Sequence, residues 1–114
     1  MPISSENRGI LLNQSGAREI DLHIEALSDD SGLLSPPEML NIQISRFRDT
    51  MSKAQNEGWK QIVFIHGVGD GRLKFELRKI LDSQFPDARY QDASFLEYGY
   101  GATLVFLESN LAAK

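Results

Sequence analysis

A histidine and alternating glycines, His66-Gly67-Val68-Gly69-Asp70-Gly71, directly follow the apolar run Ile62-Val63-Phe64-Ile65 and precede a helix-patterned stretch that begins at Arg72. Peptide amides in a strand-to-helix glycine loop are unshielded by side chains and can face an anion, as the start of a helix does. These residue types point to a phosphate contact beside a titratable imidazole. A second constellation lies upstream, where Asp21 and His23 sit two apart in the alternating segment Arg18 to Ile24 and so share a strand face. A carboxylate beside an imidazole can orient the ring, hold a proton or polarise a water. Each residue also has a plainer role open to it: the aspartate can accept loop amides, and the histidine can bond a carbonyl. Asp21, His23 and His66 together have the donor types of a loosely held metal, whereas two histidines without cysteine make no structural zinc site.

The elements that must position these groups follow from periodicity. Ile20, Leu22 and Ile24 alternate with Glu19, Asp21 and His23, which predicts a first strand with one core face. Residues 25–34 read as a loop. Ser35-Pro36-Pro37-Glu38 is a capping-box pattern, and Leu40, Ile44 or Phe47, Met51 and Ala54 keep helical spacing up to Gly58, a left-handed stop. The second strand, Gln61 to His66, is apolar on both faces and is therefore expected at the centre of a sheet. A second helix carries Leu73, Leu77, Ile80 and Leu81 before Pro86 ends it; Tyr90 to Phe95 and Ala102 to Leu107 complete the strands. The order βαβαββ, with parallel crossovers and an antiparallel last strand, gives an α/β two-layer sandwich: a mixed four-stranded sheet in the order 1-2-4-3 with both helices on one face. Ligands of such sheets sit beyond the carboxyl ends of the parallel strands, so Asp21, His23 and His66 are expected to gather where the glycine loop opens.

The bulk properties narrow the class. With 114 residues, 41% hydrophobic and 25% charged, the chain builds one core, expected over residues 18–108, with a tail or linker at 1–17, of which Ile10-Leu11-Leu12 can dock on the body, and a short tail at 109–114. The absence of cysteine suits a cytoplasmic setting, and no apolar run reaches membrane-spanning length. The net charge of −4 argues against tight nonspecific nucleic-acid binding. Charge is uneven, however: Lys60, Arg72, Lys74, Arg78 and Lys79 outnumber Asp70 and Glu76 around the glycine loop. A dinucleotide fingerprint needs glycine where Arg72 stands, a P-loop needs Lys-Ser or Lys-Thr after the last glycine, and no G-x-S-x-G elbow is present.

Ile20-Asp21-Leu22-His23 resembles the "LDLH" element of the Smr (small MutS-related) domain, His66 to Gly71 resembles its H-G-x-G-x-G, and Gly101-Ala102-Thr103 resembles its third element. The first element continues with Ile24 where the family usually has glycine. The resemblance spans residues 18–108 and implies the βαβαββ sandwich, similar to the C-terminal domain of a bacterial translation initiation factor, here as the C-terminal Smr domain of a longer protein. It implies nucleic acid, DNA or structured RNA, as ligand, and a nicking or RNA-cleaving endonuclease as one activity; a non-catalytic nucleic-acid, ribosome or protein-interaction module is the other. The implied catalytic roles fall on Asp21, His23 and His66, with Gly67, Gly69 and Gly71 as the backbone cradle. Arg72, Lys74 and Arg78 would hold the phosphate backbone, and Tyr98 and Tyr100 would stack on bases or pack at a sheet edge. No cofactor is required; a divalent metal such as Mg2+ is left open. The two-sided apolarity of the central strands leaves an open sheet face for another domain or subunit.

Overall fold

The computed structural model describes residues 10–12 and 16–107; the expected tail at 109–114 and most of that at 1–17 lie outside the described residues. The strands are β1 (Ile10–Leu12), β2 (Arg18–Asp21), β3 (Gln61–Ile65), β4 (Arg89–Asp92) and β5 (Ala102–Phe106), in the spatial order β1-β2-β3-β5-β4. β2 and β3 are parallel, and β5 runs antiparallel to both β3 and β4. Four strands thus take the expected 1-2-4-3 order. Ile10–Leu12 adds a fifth strand, antiparallel on the β2 edge.

Three short elements interrupt the simple βαβαββ alternation. Helix α1 (Ile24–Leu27) and a 3-10 turn (Ser31–Leu33) occupy the expected loop, and α4 (Phe95–Tyr98) precedes β5. The first strand stops at Asp21 rather than running to Ile24, because Leu22 donates the last ladder bond to the Ile65 carbonyl and His23 already caps α1. Ile24 is buried, so the apolar side chain at that position fills core space. β4 ends at Asp92, short of the expected Phe95, which instead opens α4.

The long helices are α2 (Pro36–Glu57) and α3 (Arg72–Gln84). Ser35 starts α2 with a complete capping box: its Oγ accepts the Glu38 amide at 3.3 Å while its own amide donates to Glu38 Oε1 at 2.8 Å. Pro36 and Pro37 lie where helix amides have no intrahelical acceptor, and Gly58 closes α2 at φ +73°. α3 begins after Gly71, at φ +83°, with Asp70 Oδ1 accepting the Arg72 amide at 2.9 Å.

Both helices cover one sheet face. Ile20, Leu22, Ile62, Phe64 and Val105 meet Phe47, Met51 and Ala54 of α2 and Leu73, Leu77, Ile80 and Leu81 of α3. Phe47 packs edge-on against Phe64 with centroids 4.8 Å apart. On the opposite face Val63 and Ala102 form a smaller cluster with Ala17 and Ala93, against which Tyr98 of α4 packs. The second face is therefore partly covered by the chain itself. Parallel pairing of β2 with β3 brings their carboxyl ends to one rim, where the chemistry-bearing residues lie.

Candidate active site

Asp21 and His23 meet at this rim. Asp21 Oδ1 accepts from the His23 backbone amide at 2.9 Å and lies 2.7 Å from His23 Nδ1, and both side chains are about half exposed. A carboxylate only accepts, so Nδ1 carries the proton in this contact and Nε2 of the neutral ring is left with a bare lone pair. Gln43, reaching from α2, donates to the Leu22 carbonyl at 2.9 Å and pins the peptide between the pair.

The glycine loop is shaped around this imidazole. Gly67 has φ +78°, and a Cβ placed on it would lie 2.8 Å from His23 Nε2. Glycine is needed there twice over, for the left-handed backbone and for the space the ring occupies. Gly69 and Gly71 also have positive φ, at +44° and +83°, without a neighbour within reach of a Cβ. Among the described residues the amides of Val68, Gly69 and Asp70 have no hydrogen-bond acceptor, whereas Gly67 donates to the Gly101 carbonyl at 2.9 Å and Gly71 to that of Val68. The loop and the starts of α2 and α3 border a groove of about 530 Å³ that runs from Pro36 and Gln43 to Lys74.

His66 takes a different place from the expected one. It is 7% exposed; Nδ1 lies 2.8 Å from the Gly67 carbonyl and Nε2 lies 2.9 Å from Thr103 Oγ1. The carbonyl can only accept, so Nδ1–H donates to it and Nε2 accepts the Thr103 hydroxyl proton. Thr103 Oγ1 in turn accepts from Arg78 Nε at 3.2 Å and from its terminal nitrogen at 2.9 Å. That nitrogen also meets Asp92 Oδ1 at 2.6 Å, and Lys74 Nζ reaches the same oxygen at 3.2 Å. Burial is the main cause that pushes the His66 imidazole below its usual range; the Gly67 contact opposes this, the Lys74 and Arg78 charges add to it, and Asp92 opposes it. The Arg78 and Lys74 contacts hold the Asp92 carboxyl below the usual range. His66 is thus a wedge between the loop and β5, with neither ring nitrogen free for substrate. Among the described residues no group of three His, Asp or Glu side chains is placed to hold a metal ion.

The remaining expected residues divide in the same way. Arg72 is exposed and pairs with Glu76 at 3.3 Å. Lys74 and Arg78 face Asp92, so they brace β4 against α3 before they meet any phosphate. The Tyr98 hydroxyl donates to Glu19 and its ring packs on the second sheet face, which takes it out of the position expected for stacking. Tyr100 stays exposed. Sequence reasoning missed two supports, Gln43, a polar residue beside the apolar stripe of α2, and Asp92 on β4, and it named Thr103 on β5 within the third motif without a role. A threonine at full burial in a central strand is the signal that a polar partner lies opposite it.

Comparison with known proteins agrees with the motifs. The family model described as Smr domain matches residues 43–108. The chain is also 36% identical over 58 residues to endonuclease MutS2 of Aquifex aeolicus (strain VF5), which covers 51% of this chain and 8% of that protein. The chain therefore spans a small part of the curated relative it matches. No solved structure matches it. Asp21 and His23 precede the stretch matched by the family model, and the β2–β3 pairing, with the His23 ring in the space left by Gly67, joins them to it. With the glycine loop, the β5 opening and more than half of the sequence matched, the chain belongs to the Smr domain family.

Proposed function

We propose that this domain binds nucleic acid and cleaves its phosphodiester backbone at the rim formed by Asp21, His23 and the glycine loop. The observation that carries the reading is the Asp21–His23 pair, whose ring occupies the space a Gly67 side chain would take, beside uncommitted amides. In this reading His23 Nε2 takes the proton of the attacking hydroxyl, from water or a ribose 2′-OH, as the new P–O bond forms and the P–O bond to the leaving oxygen breaks. Asp21 stabilises the imidazolium that forms, and the leaving oxygen takes up a proton from solvent as the imidazolium gives one back to solvent. The amides of Val68, Gly69 and Asp70 receive the non-bridging phosphate oxygens as their charge grows. His66 acts through Gly67 by fixing the loop. A Mg2+ ion recruited by the reaction would meet Asp21 and the phosphate rather than a preformed cage. The endonuclease named among the relatives supports this class of reaction. A cytoplasmic setting belongs to the same proposal; no helix among the described residues is long and apolar enough to cross a membrane.

A binding module without cleavage is the second reading, favoured by the burial of His66, which leaves a single imidazole at the rim. Incubation of the protein with supercoiled plasmid and with end-labelled RNA, with and without Mg2+, separates the two. The first reading expects nicked or shortened product from the parent and about 100-fold less from Asp21→Asn. Retained gel-shift binding with no product from the parent under any condition would leave only the second.

A further inference from the structure

Phe95 and Tyr100 form an exposed pair at the junction of α4 with β5. They are 60% and 64% exposed, their rings meet edge to face with centroids 4.9 Å apart, and neighbouring Leu96 is 97% exposed. Tyr100 directly precedes Gly101, whose carbonyl accepts the His66 and Gly67 amides at 3.0 and 2.9 Å. A Cβ on Gly101 would lie 3.4 Å from Gly67 Cα, and one on Gly67 would lie 2.8 Å from His23 Nε2. The aromatic pair is thus one residue from a backbone that is bonded to Gly67, and Gly67 leaves space for the His23 ring.

Charge alone gives the rim little hold on a strand. Lys74 and Arg78 are engaged by Asp92, Arg72 and Lys79 by Glu76, and the whole chain carries −4. Where few phosphates are neutralised, affinity must come from contacts that do not depend on charge, and base–aromatic stacking is such a contact. We propose that Phe95 and Tyr100 are a stacking platform for unpaired nucleobases next to the bound phosphate, so that the substrate is a single-stranded or locally unpaired segment rather than continuous duplex. The inference rests on the reading of the rim as a nucleic-acid site and adds its substrate class. A duplex keeps its bases inside the stack, where an exposed ring pair cannot reach their faces.

The test compares fluorescence-anisotropy binding of the full chain to a short single strand, the same strand with abasic residues at every position, and the matching duplex, in ribose and deoxyribose forms. The platform expects the base-containing strand to bind about tenfold or more tighter than the abasic one, and tighter than duplex. Phe95→Ala and Tyr100→Ala should each remove most of that difference, and Tyr100→Phe should keep it. A ribose or deoxyribose preference then identifies the source of the bases. Equal binding of base-containing and abasic strands overturns the platform, and does so without any variant. If cleavage still depends on His23 in that case, the reading of the rim stands alone. Base-dependent binding that the alanine variants leave unchanged also overturns the proposal.

Discussion

At the residue scale, the site depends on Gly67 having no side chain. Gly67→Ala would force a Cβ within 2.8 Å of His23 Nε2 at a φ of +78°. It should cost about 1 kcal/mol or more of stability and about 100-fold in cleavage, read by denaturant titration and by turnover, because the imidazole must leave its place. Thr103→Val keeps shape but removes the hydroxyl between His66 and Arg78, leaving buried polar groups unpaired; a loss of about 1–3 kcal/mol is expected in urea unfolding. His66 also makes stability depend on pH. Its folded value lies below the ordinary imidazole value, so as pH falls the unfolded chain takes the proton first. The contribution of neutral His66 is complete above about pH 6.5 and is lost progressively as pH falls from there toward the folded value. The urea midpoint of the parent should therefore drop more than that of His66→Gln between about pH 7.5 and pH 5.5. Asp21, His23 and the glycines were legible in the sequence as chemical types. The burial of His66 was not, because its partner Thr103 is 37 positions away and Arg78, which bonds that same hydroxyl, is 25 positions from Thr103.

At the scale of elements, local signals with a physical mechanism read correctly. Ser35 and Glu38 form both bonds of the capping box, Gly58 ends α2 in the left-handed conformation, and the apolar stripes of both long helices face the sheet. Ser35→Ala should cost about 1 kcal/mol, measured as a shift in urea midpoint with little change in cleavage, since the capping bonds of Ser35 go to Glu38 and to none of the rim residues. Short elements were harder to read. Four residues of α1 and four of α4 carry too little periodicity to separate helix from loop, and their positions are set by tertiary contacts such as Ile24 in the core and the Tyr98 ring on the second sheet face. Tyr90 to Phe95 was read as a strand, yet the ladder ends where Asp92 turns to meet Arg78 and Lys74. Periodicity reports which side chains are apolar; it does not report which polar ones will pair across elements.

For the whole molecule, composition gave the class and the sheet order followed from which strands were apolar on both faces. Composition also identified a cationic cluster near the loop, but the fold spends much of that charge on Asp92 and Glu76. Nucleic-acid affinity should accordingly fall only gently with salt. Asp92→Asn releases Lys74 and Arg78, and should steepen the dependence of log K on log salt by about one to two and tighten binding at low salt, as measured by anisotropy titration. The central claim is that one exposed imidazole, held by Asp21 over Gly67, does the proton transfer while the other is structural. Single-turnover cleavage by His23→Ala, on whichever strand the parent cuts, tests it most directly: a rate about 100-fold or more below the parent, with unchanged unfolding, is expected, and a rate matching the parent would contradict it.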